Sequence, residues 1–184
     1  MSKEKVNVKK VWAPDMVHMD AALDEVNAKV IVLQAWTRDV SKLSVEDMNV
    51  KMTEVINKAL TKADKVVVST IVNRHDVPDI HLKVNTVNAS LLLKYTRNES
   101  VFVFDNSTWY HRDFHTADKL HLNDEGTNAV ASNLKYAMAE AIGVRVMQKK
   151  TNRSNYARQH ESDDRRYNRY RGQRDHRDRD RYWR

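Results

Sequence analysis

Four short runs rich in β-branched and aromatic residues alternate with helical segments between residues 5 and 142 of this chain. The runs cover residues 6–12, 29–36, 65–72 and 100–105. The second and third are almost continuously apolar, as expected of strands that are covered on both faces. Because strands that alternate with helices form parallel sheets with right-handed crossovers, the sequence predicts an α/β fold with helical layers around a parallel sheet.

Helix signals separate these runs. Ser44 precedes apolar residues at helical spacing and is predicted to cap a helix, and Asn123 is predicted to cap a final helix that ends near Ile142. A helix is also predicted over residues 80–95, and a loop over residues 108–122. Parallel sheets bind ligands at the carboxyl ends of their strands, where polar residues follow the predicted strands of this chain. These residues are Arg38, Asp39, Asn73, Arg74 and Asn106, together with the loop at 118–121.

The net charge of +7 lies entirely in residues 149–184. This segment holds 13 Lys and Arg against 6 Asp and Glu, whereas residues 1–148 hold 19 of each sign. It contains one aliphatic residue, Ala157, and no hydrophobic periodicity, so we expect a disordered tail. The sequence therefore predicts two parts, an α/β domain over residues 1–148 and a basic tail over residues 149–184.

Arginines in the tail are interleaved with tyrosine and tryptophan. Arginine neutralises phosphate and aromatic rings stack on unpaired bases, so we expect the tail to bind single-stranded RNA or another polyanion. The residues predicted to bind are Arg165, Arg166, Tyr167, Arg169, Tyr170, Arg171, Arg174, Arg177, Arg179, Arg181, Tyr182 and Trp183. Arginine and aspartate alternate over residues 174–180, which is also common in solubilising or self-associating tails, and that is the alternative.

The composition limits the class of protein. The chain has no cysteine, no run of about 18 apolar residues, and no apolar segment at its N-terminus. We therefore expect no disulfide framework, no thiol nucleophile, no transmembrane helix and no signal peptide. The sequence predicts an intracellular protein, cytoplasmic or nuclear, with no cofactor and no membrane contact.

Asp118 stands three residues before His121, directly ahead of the predicted final helix. An acid at this spacing can orient an imidazole and set its tautomer, as a general base requires. The alternative is that the pair only fixes the loop. A base of this kind also needs a nucleophile and donors for an oxyanion, and the sequence supplies neither in an obvious place.

Residues 66–142 resemble the C-terminal half of SGNH (GDSL-type) hydrolases. The matching pieces are KVVVSTIVNRHD, VNASLLL, VFVFDN and DKLHLNDEGTNAVASNLKYAM. Upstream, VIVLQAWTRDVSKLSVEDMN is similar to the family segment that holds a Gly-x-Asn-Asp core. The resemblance implies a three-layer, flavodoxin-like fold, and it implies that Asp118 and His121 are the remnant of a Ser-His-Asp triad.

The chain departs from the family at residues that carry catalysis. The family's oxyanion asparagine aligns with Arg38 and the preceding glycine with Trp36, whereas Thr37 and Asp39 persist. No glycine precedes Gly126, and the Gly-Asp-Ser block after the family's first strand is absent. The resemblance therefore implies a degenerate or N-terminally truncated member, whose sheet lacks the first and central strand of the family order 2-1-3-4-5.

No other serine stands in the context of a nucleophile elbow. Ser69 lies inside a predicted strand, Ser41 and Ser44 precede a helix, and Ser107 follows the last strand. Each is interpreted as a helix cap or a buried hydroxyl.

Trp36 and Arg38 would crowd the former oxyanion region and make it cationic, which suits an anion such as phosphate. A surface ion pair between Arg38 and Asp39 is the alternative.

Five potential metal ligands lie in the loop ahead of the final helix, namely His111, Asp113, His115, Asp118 and His121. His111 and His115 have i, i+4 spacing, which would place them on one face of a helix. No helix is predicted there, and such residues in a polar loop are commonly solvated, so no metal site is assigned.

These features together predict a catalytically degenerate SGNH-like domain with a tail that binds RNA. The first alternative is an acyl or O-acetyl ester hydrolase in which Asp118 and His121 serve a nucleophile supplied from elsewhere. The second is an inactive, truncated gene product that needs a partner strand or a second copy of the chain, because a missing central strand leaves backbone groups unpaired.

Overall fold

The computed structural model describes residues 7–34, 36–106 and 112–144. Four α-helices and three strands lie in these residues, in the order α1 (Met16–Ala22), β1 (Val30–Leu33), α2 (Val45–Leu60), β2 (Lys65–Ser69), α3 (Ile80–Tyr95), β3 (Val101–Phe104) and α4 (Asp124–Ala141). Two short 3-10 helices, Leu23–Glu25 and Arg112–Phe114, follow α1 and precede α4. None of the described helices is long and apolar enough to cross a membrane.

The three strands form one parallel sheet in the order β1-β2-β3. Val30 of β1 pairs with Lys65 of β2, and Val66 of β2 pairs with Val101 of β3. The helices α2 and α3 connect consecutive parallel strands, as crossovers do. The prediction of an α/β fold with a parallel sheet is confirmed.

The prediction of a strand over residues 6–12 is wrong for residues 7–12, which the structure describes. Residues 7–12 have no regular structure, and Val8 and Val11 are 66% and 45% exposed. Two adjacent lysines interrupt the alternation that a half-buried strand needs, and β-branched residues alone do not supply a neighbouring strand. The sheet of the described residues therefore has three strands instead of four, consistent with a flavodoxin-like fold that lacks a strand.

Alternate side chains of β2 enter two separate cores. Val66 and Val68 belong to the larger core, which also contains residues of α1, α2 and α3, whereas Val67 packs with Phe104 and with Ala137 of α4. Successive side chains of a strand point to opposite faces of the sheet. The helices therefore form two layers, with α1, α2 and α3 on one face and α4 on the other, and the three-layer architecture is confirmed.

Both predicted N-caps are confirmed. Ser44 Oγ accepts a hydrogen bond from Asp47 N at 3.0 Å, and Asn123 Oδ1 accepts one from Gly126 N at 2.9 Å. These bonds satisfy backbone N–H groups of the first turn that have no partner within the helix. The Asn123 cap fixes the point at which the preceding loop passes into α4.

Asn88 of α3 fixes the chain beyond the end of β2. Its side chain is buried, with Oδ1 accepting from Ile71 N at 2.8 Å and Nδ2 donating to Ile71 O at 2.9 Å. The two bonds satisfy the backbone groups of Ile71 past the last ladder pair of β2. The segment that follows β2 therefore leaves the sheet in a defined direction, towards the loops at the carboxyl edge.

Candidate functional site

A tight loop ahead of α4 presents Asp118 and His121. His115 and Leu122 form an antiparallel bridge at the base of this loop, and Thr116 N donates a hydrogen bond to His121 O at 2.8 Å. The chain therefore turns back on itself within a few residues. This turn brings the side chains of Asp118 and His121 together.

The carboxylate of Asp118 holds the imidazole of His121. Its Oδ2 lies 2.6 Å from His121 Nδ1, while its Oδ1 accepts hydrogen bonds from Thr116 Oγ1 at 2.6 Å, Leu120 N at 2.9 Å and His121 N at 3.0 Å. The hydrogen bond with His121, followed by that with Thr116, holds the pKa of Asp118 well below its usual range. Asp118 is therefore ionised at neutral pH and fixes the orientation of the ring.

His121 has the arrangement of a base that faces solvent. Its side chain is 73% exposed, and within the described part of the chain its Nε2 makes no hydrogen bond. When Nδ1–H donates to Asp118, the lone pair of the neutral ring is on Nε2. The lone pair on Nε2 can accept a proton from a group placed beside it. The assignment of Asp118 and His121 as the remnant of a catalytic dyad stays a prediction.

Loops from two parts of the chain meet at the carboxyl edge of the sheet. His75 N donates to Lys119 O at 2.8 Å, and His115 Nε2 lies 2.7 Å from Asn73 O. The rings of His75 and His115 meet edge to face, with their centroids 5.0 Å apart. The segment that follows β2 therefore supports the loop ahead of α4 through backbone and imidazole contacts.

Arg74 joins the segments that follow β1 and β2. Its side chain is buried, and its guanidinium donates to both carboxylate oxygens of Asp76, with Nε at 2.7 Å from Oδ1, and to Thr37 O at 3.0 Å. The hydrogen bonds from Arg74 hold the pKa of Asp76 below its usual value. The sequence predicts that Arg74 lies at the carboxyl edge of the sheet, but it does not predict the ion pair between Arg74 and Asp76. An acid two residues after the arginine is the signal that indicates it.

Trp36 takes a backbone conformation that favours glycine, the residue with which the SGNH resemblance aligns it. Its φ is 81°, its side chain is completely buried in the larger core, and its Nε1 donates to Ser69 O at 3.0 Å. A left-handed conformation costs an L-residue roughly 1–2 kcal/mol, which burial of the large indole offsets. The indole therefore fills the space beneath this edge of the sheet.

Arg38 and Asp39 have different surroundings. Arg38 is exposed, whereas Asp39 is buried and its Oδ2 accepts a hydrogen bond from Met16 N at 3.1 Å. Within residues 7–34, 36–106 and 112–144, no ion pair joins Arg38 to Asp39. Burial raises the pKa of Asp39, and the hydrogen bond from Met16 opposes this effect. Asp39 thus holds the beginning of α1, while Arg38 presents its charge to solvent.

Buried hydroxyl and amide groups join the ends of β2 and β3. Ser69 Oγ donates to Thr70 O and accepts from Asn106 Nδ2, each at 2.8 Å, and Asn106 N donates to Thr70 Oγ1 at 2.7 Å. All three side chains are buried. A hydroxyl in such a network holds the fold together, and the interpretation of Ser69 as a buried hydroxyl is confirmed.

Several predicted site residues lie outside the described residues. They are His111 and the twelve tail residues predicted to bind nucleic acid, whose roles stay predictions. Ser107, interpreted as a cap or a buried hydroxyl, also lies outside the described residues. Among the described residues, no three histidine or acidic side chains are grouped so that they could hold a metal ion.

The layers, the strand order and the loop ahead of α4 define the chain as an α/β protein with a distant SGNH-like (GDSL-type) fold. It is similar to the crystal structure of a member of the lipolytic protein G-D-S-L family from Veillonella parvula DSM 2008, with a TM-score of 0.58 and 19% sequence identity. The match covers 66% of this chain and 73% of that chain. No protein-family model and no curated protein matches the sequence. At this level of identity, the likeness establishes the fold and does not extend to activity.

Proposed function

We propose that this chain binds single-stranded RNA through residues 149–184, and that its SGNH-like domain does not hydrolyse esters on its own. The distribution of charge carries the proposal, because the whole net charge of +7 lies in those residues while residues 1–148 are balanced. A basic segment binds phosphates with the release of counterions, and its aromatic side chains offer surfaces on which unpaired bases stack.

The hydroxyl groups at the carboxyl edge support the second half of the proposal. Ser69 Oγ is buried and donates to Thr70 O. Thr116 Oγ1 donates to Asp118 Oδ1 at 2.6 Å and has the backbone carbonyl of His121 as a second acceptor at 3.2 Å. The oxygen of a hydroxyl nucleophile must lie within about 2.6–3.2 Å of the nitrogen of the base that removes its proton. Neither hydroxyl donates to the imidazole of His121.

Replacement of the tail arginines tests RNA binding. The variant carries glutamine at Arg165, Arg166, Arg169, Arg171, Arg174, Arg177, Arg179 and Arg181 in the full chain. Fluorescence anisotropy of a labelled single-stranded RNA, titrated at several salt concentrations, gives the Kd and its salt dependence. We expect a large loss of affinity, and a slope of log K against log salt that falls by about 0.7 for each phosphate contact removed.

Lysine at the same eight positions is the matched control, because it keeps the charge and removes the planar guanidinium. This variant is expected to keep the salt slope. A third variant replaces Tyr167, Tyr170, Tyr182 and Trp183 with leucine, which should weaken binding to RNA and leave binding to heparin unchanged because heparin has no bases to stack. If the glutamine variant binds RNA as tightly as the wild-type chain, the tail is not the binding segment.

Ester hydrolysis is the second candidate function, and the geometry of Asp118 and His121 favours it. The 2.6 Å contact between their side chains and the exposure of the imidazole would let His121 serve a nucleophile supplied from elsewhere. Turnover of a chromogenic acetate ester by the wild-type chain, compared with His121→Ala, measures this activity. We expect the wild-type chain and His121→Ala to show the same turnover of the ester. Turnover by the wild-type chain that is lost in His121→Ala and lowered in Asp118→Asn would instead establish hydrolysis.

A further inference from the structure

Trp12 is unusually exposed for a tryptophan. Its side chain is 76% accessible to solvent, in a segment of residues 7–13 that has no regular structure. Burial of an indole contributes strongly to stability, and tryptophan is enriched at interfaces, where its ring contacts a partner. Among the described residues of the domain, Trp12 therefore presents a large aromatic surface that the fold does not bury.

Lys9 and Lys10 stand beside this tryptophan. Both side chains are exposed, and within the described residues neither ammonium group forms an ion pair. An unpaired cation next to an exposed aromatic ring is the combination that binds unpaired nucleic acid, because the cation contacts phosphate and the ring stacks on a base. A docking surface for a protein, by contrast, has fewer lysines at its centre than the rest of a protein surface.

The fold places the beginning of α1, which follows this segment, at the carboxyl edge of the sheet. Asp15 caps α1, and Asp39, which follows β1, accepts a hydrogen bond from the first residue of the same helix. The hydrogen bond with His18 lowers the pKa of Asp15, and the nearby charge of Arg38 adds to this effect. Trp12 precedes Asp15 by three residues, a reach of at most about 11 Å. Arg38, which is exposed, therefore lies in the region that Trp12 can reach.

We propose that Trp12, Lys9 and Lys10 form a second contact for single-stranded RNA, located on the folded domain. The indole of Trp12 stacks on one unpaired base, and the two ammonium groups contact phosphates beside it. This proposal rests on the proposed function, since the tail supplies the main electrostatic attraction. Like the stacking proposed for the tail, the contact at Trp12 requires an unpaired base and does not form with heparin or with fully paired RNA.

Substitutions in the full chain separate stacking from charge. Trp12→Ala should weaken binding of single-stranded RNA about five-fold or more and leave the salt slope unchanged. Trp12→Tyr should restore most of the affinity, because it keeps an aromatic ring. Lys9→Ala combined with Lys10→Ala should lower the salt slope by about 1.4, which corresponds to two phosphate contacts on a single strand. Fluorescence anisotropy with the labelled RNA measures all three.

Exposed residues on other elements provide matched controls. Leu93→Ala removes an apolar side chain of α3 that is 81% exposed, and Lys29→Ala combined with Lys135→Ala removes two exposed lysines that lie outside this segment. These variants should bind RNA like the wild-type chain, apart from a small general effect of charge. Equal losses in the control and test variants would overturn the proposal.

The outcomes distinguish this proposal from the proposed function of the tail. If the arginine-to-glutamine variant loses RNA binding but Trp12→Ala binds like the wild-type chain, the tail binds RNA and the second contact does not exist. If the glutamine variant keeps full binding, the proposed function fails, whatever the effect of Trp12→Ala. A change of oligomeric mass in Trp12→Ala, measured by light scattering, would place Trp12 between two copies of the chain and would also overturn the contact with RNA.

Discussion

A buried carboxylate holds the beginning of α1. Asp39 Oδ2 accepts the N–H of Met16, and burial raises the pKa of Asp39. An acid with a raised pKa binds its proton more tightly in the folded state than in the unfolded state. Its ionisation therefore lowers the free energy of unfolding as the pH rises from its ordinary pKa of about 4 through its pKa in the folded chain.

Two substitutions at Asp39 separate the charge from the hydrogen bond. Asparagine keeps an acceptor for Met16 N and removes the buried charge, so Asp39→Asn should be at least as stable as the wild-type chain at neutral pH. Alanine leaves the N–H of Met16 without its partner, and we expect Asp39→Ala to lower the free energy of unfolding by about 1–3 kcal/mol. Urea titrations at neutral pH and at about pH 4 measure both effects.

The pH dependence provides the internal control. The stability of Asp39→Asn relative to the wild-type chain should decrease at the lower pH, where a larger fraction of the wild-type carboxyl is protonated and carries no charge. If Asp39→Asn is as unstable as Asp39→Ala at neutral pH, the hydrogen bond to Met16 depends on the charge of the carboxylate, and the expectation fails.

At the level of elements, the first turn of α4 packs closely against the 3-10 helix Arg112–Phe114. A Cβ atom at Gly126 would clash with the carbonyl oxygen of Phe114 and would lie 3.0 Å from Leu122 Cδ2. The same carbonyl accepts a hydrogen bond from Asn123 N at 2.9 Å, so its movement would disturb the cap of α4. Gly126 thus determines how near α4 comes to the loop that precedes it.

Gly126→Ala tests this close contact. Alanine is favoured over glycine in a helix by about 1 kcal/mol, so an unhindered position would gain stability. Here the steric clash should reverse the sign, with a loss of about 1–3 kcal/mol in the free energy of unfolding. Ser132→Ala, at an exposed position of the same helix, is the control and should be neutral or slightly stabilising. Equal stability of the two variants in urea titrations would show that α4 has room to shift.

At the level of the whole molecule, the sequence predicts the elements whose signals are local. Ser44 and Asn123 mark the starts of α2 and α4, and α3 occupies residues 80–95 as predicted. The parallel order of the sheet follows from the alternation of strands and helices, since a parallel neighbour requires a crossover. The position of the polar residues that follow the strands, such as Asn73, Arg74 and Asn106, also follows from the parallel order of the sheet.

Contacts between distant segments could not be predicted. The bond from Arg74 to Thr37 O joins residues 37 positions apart, and the positive φ of Trp36 depends on the core that encloses its indole. Residues 7–12 have strand-forming side chains but no strand beside them in the structure. Each of these features arises from packing between segments, which local sequence patterns do not encode.

The two crossovers of the sheet span equal lengths of chain. Val30 pairs with Lys65, and Val66 pairs with Val101, a separation of 35 residues in each case. Each strand pair therefore closes a loop of the same size and loses a similar conformational entropy. β2 takes part in both closures, and three of its residues are completely buried valines. The rate of folding should consequently depend most on β2, because neither pair can form before this strand is in position.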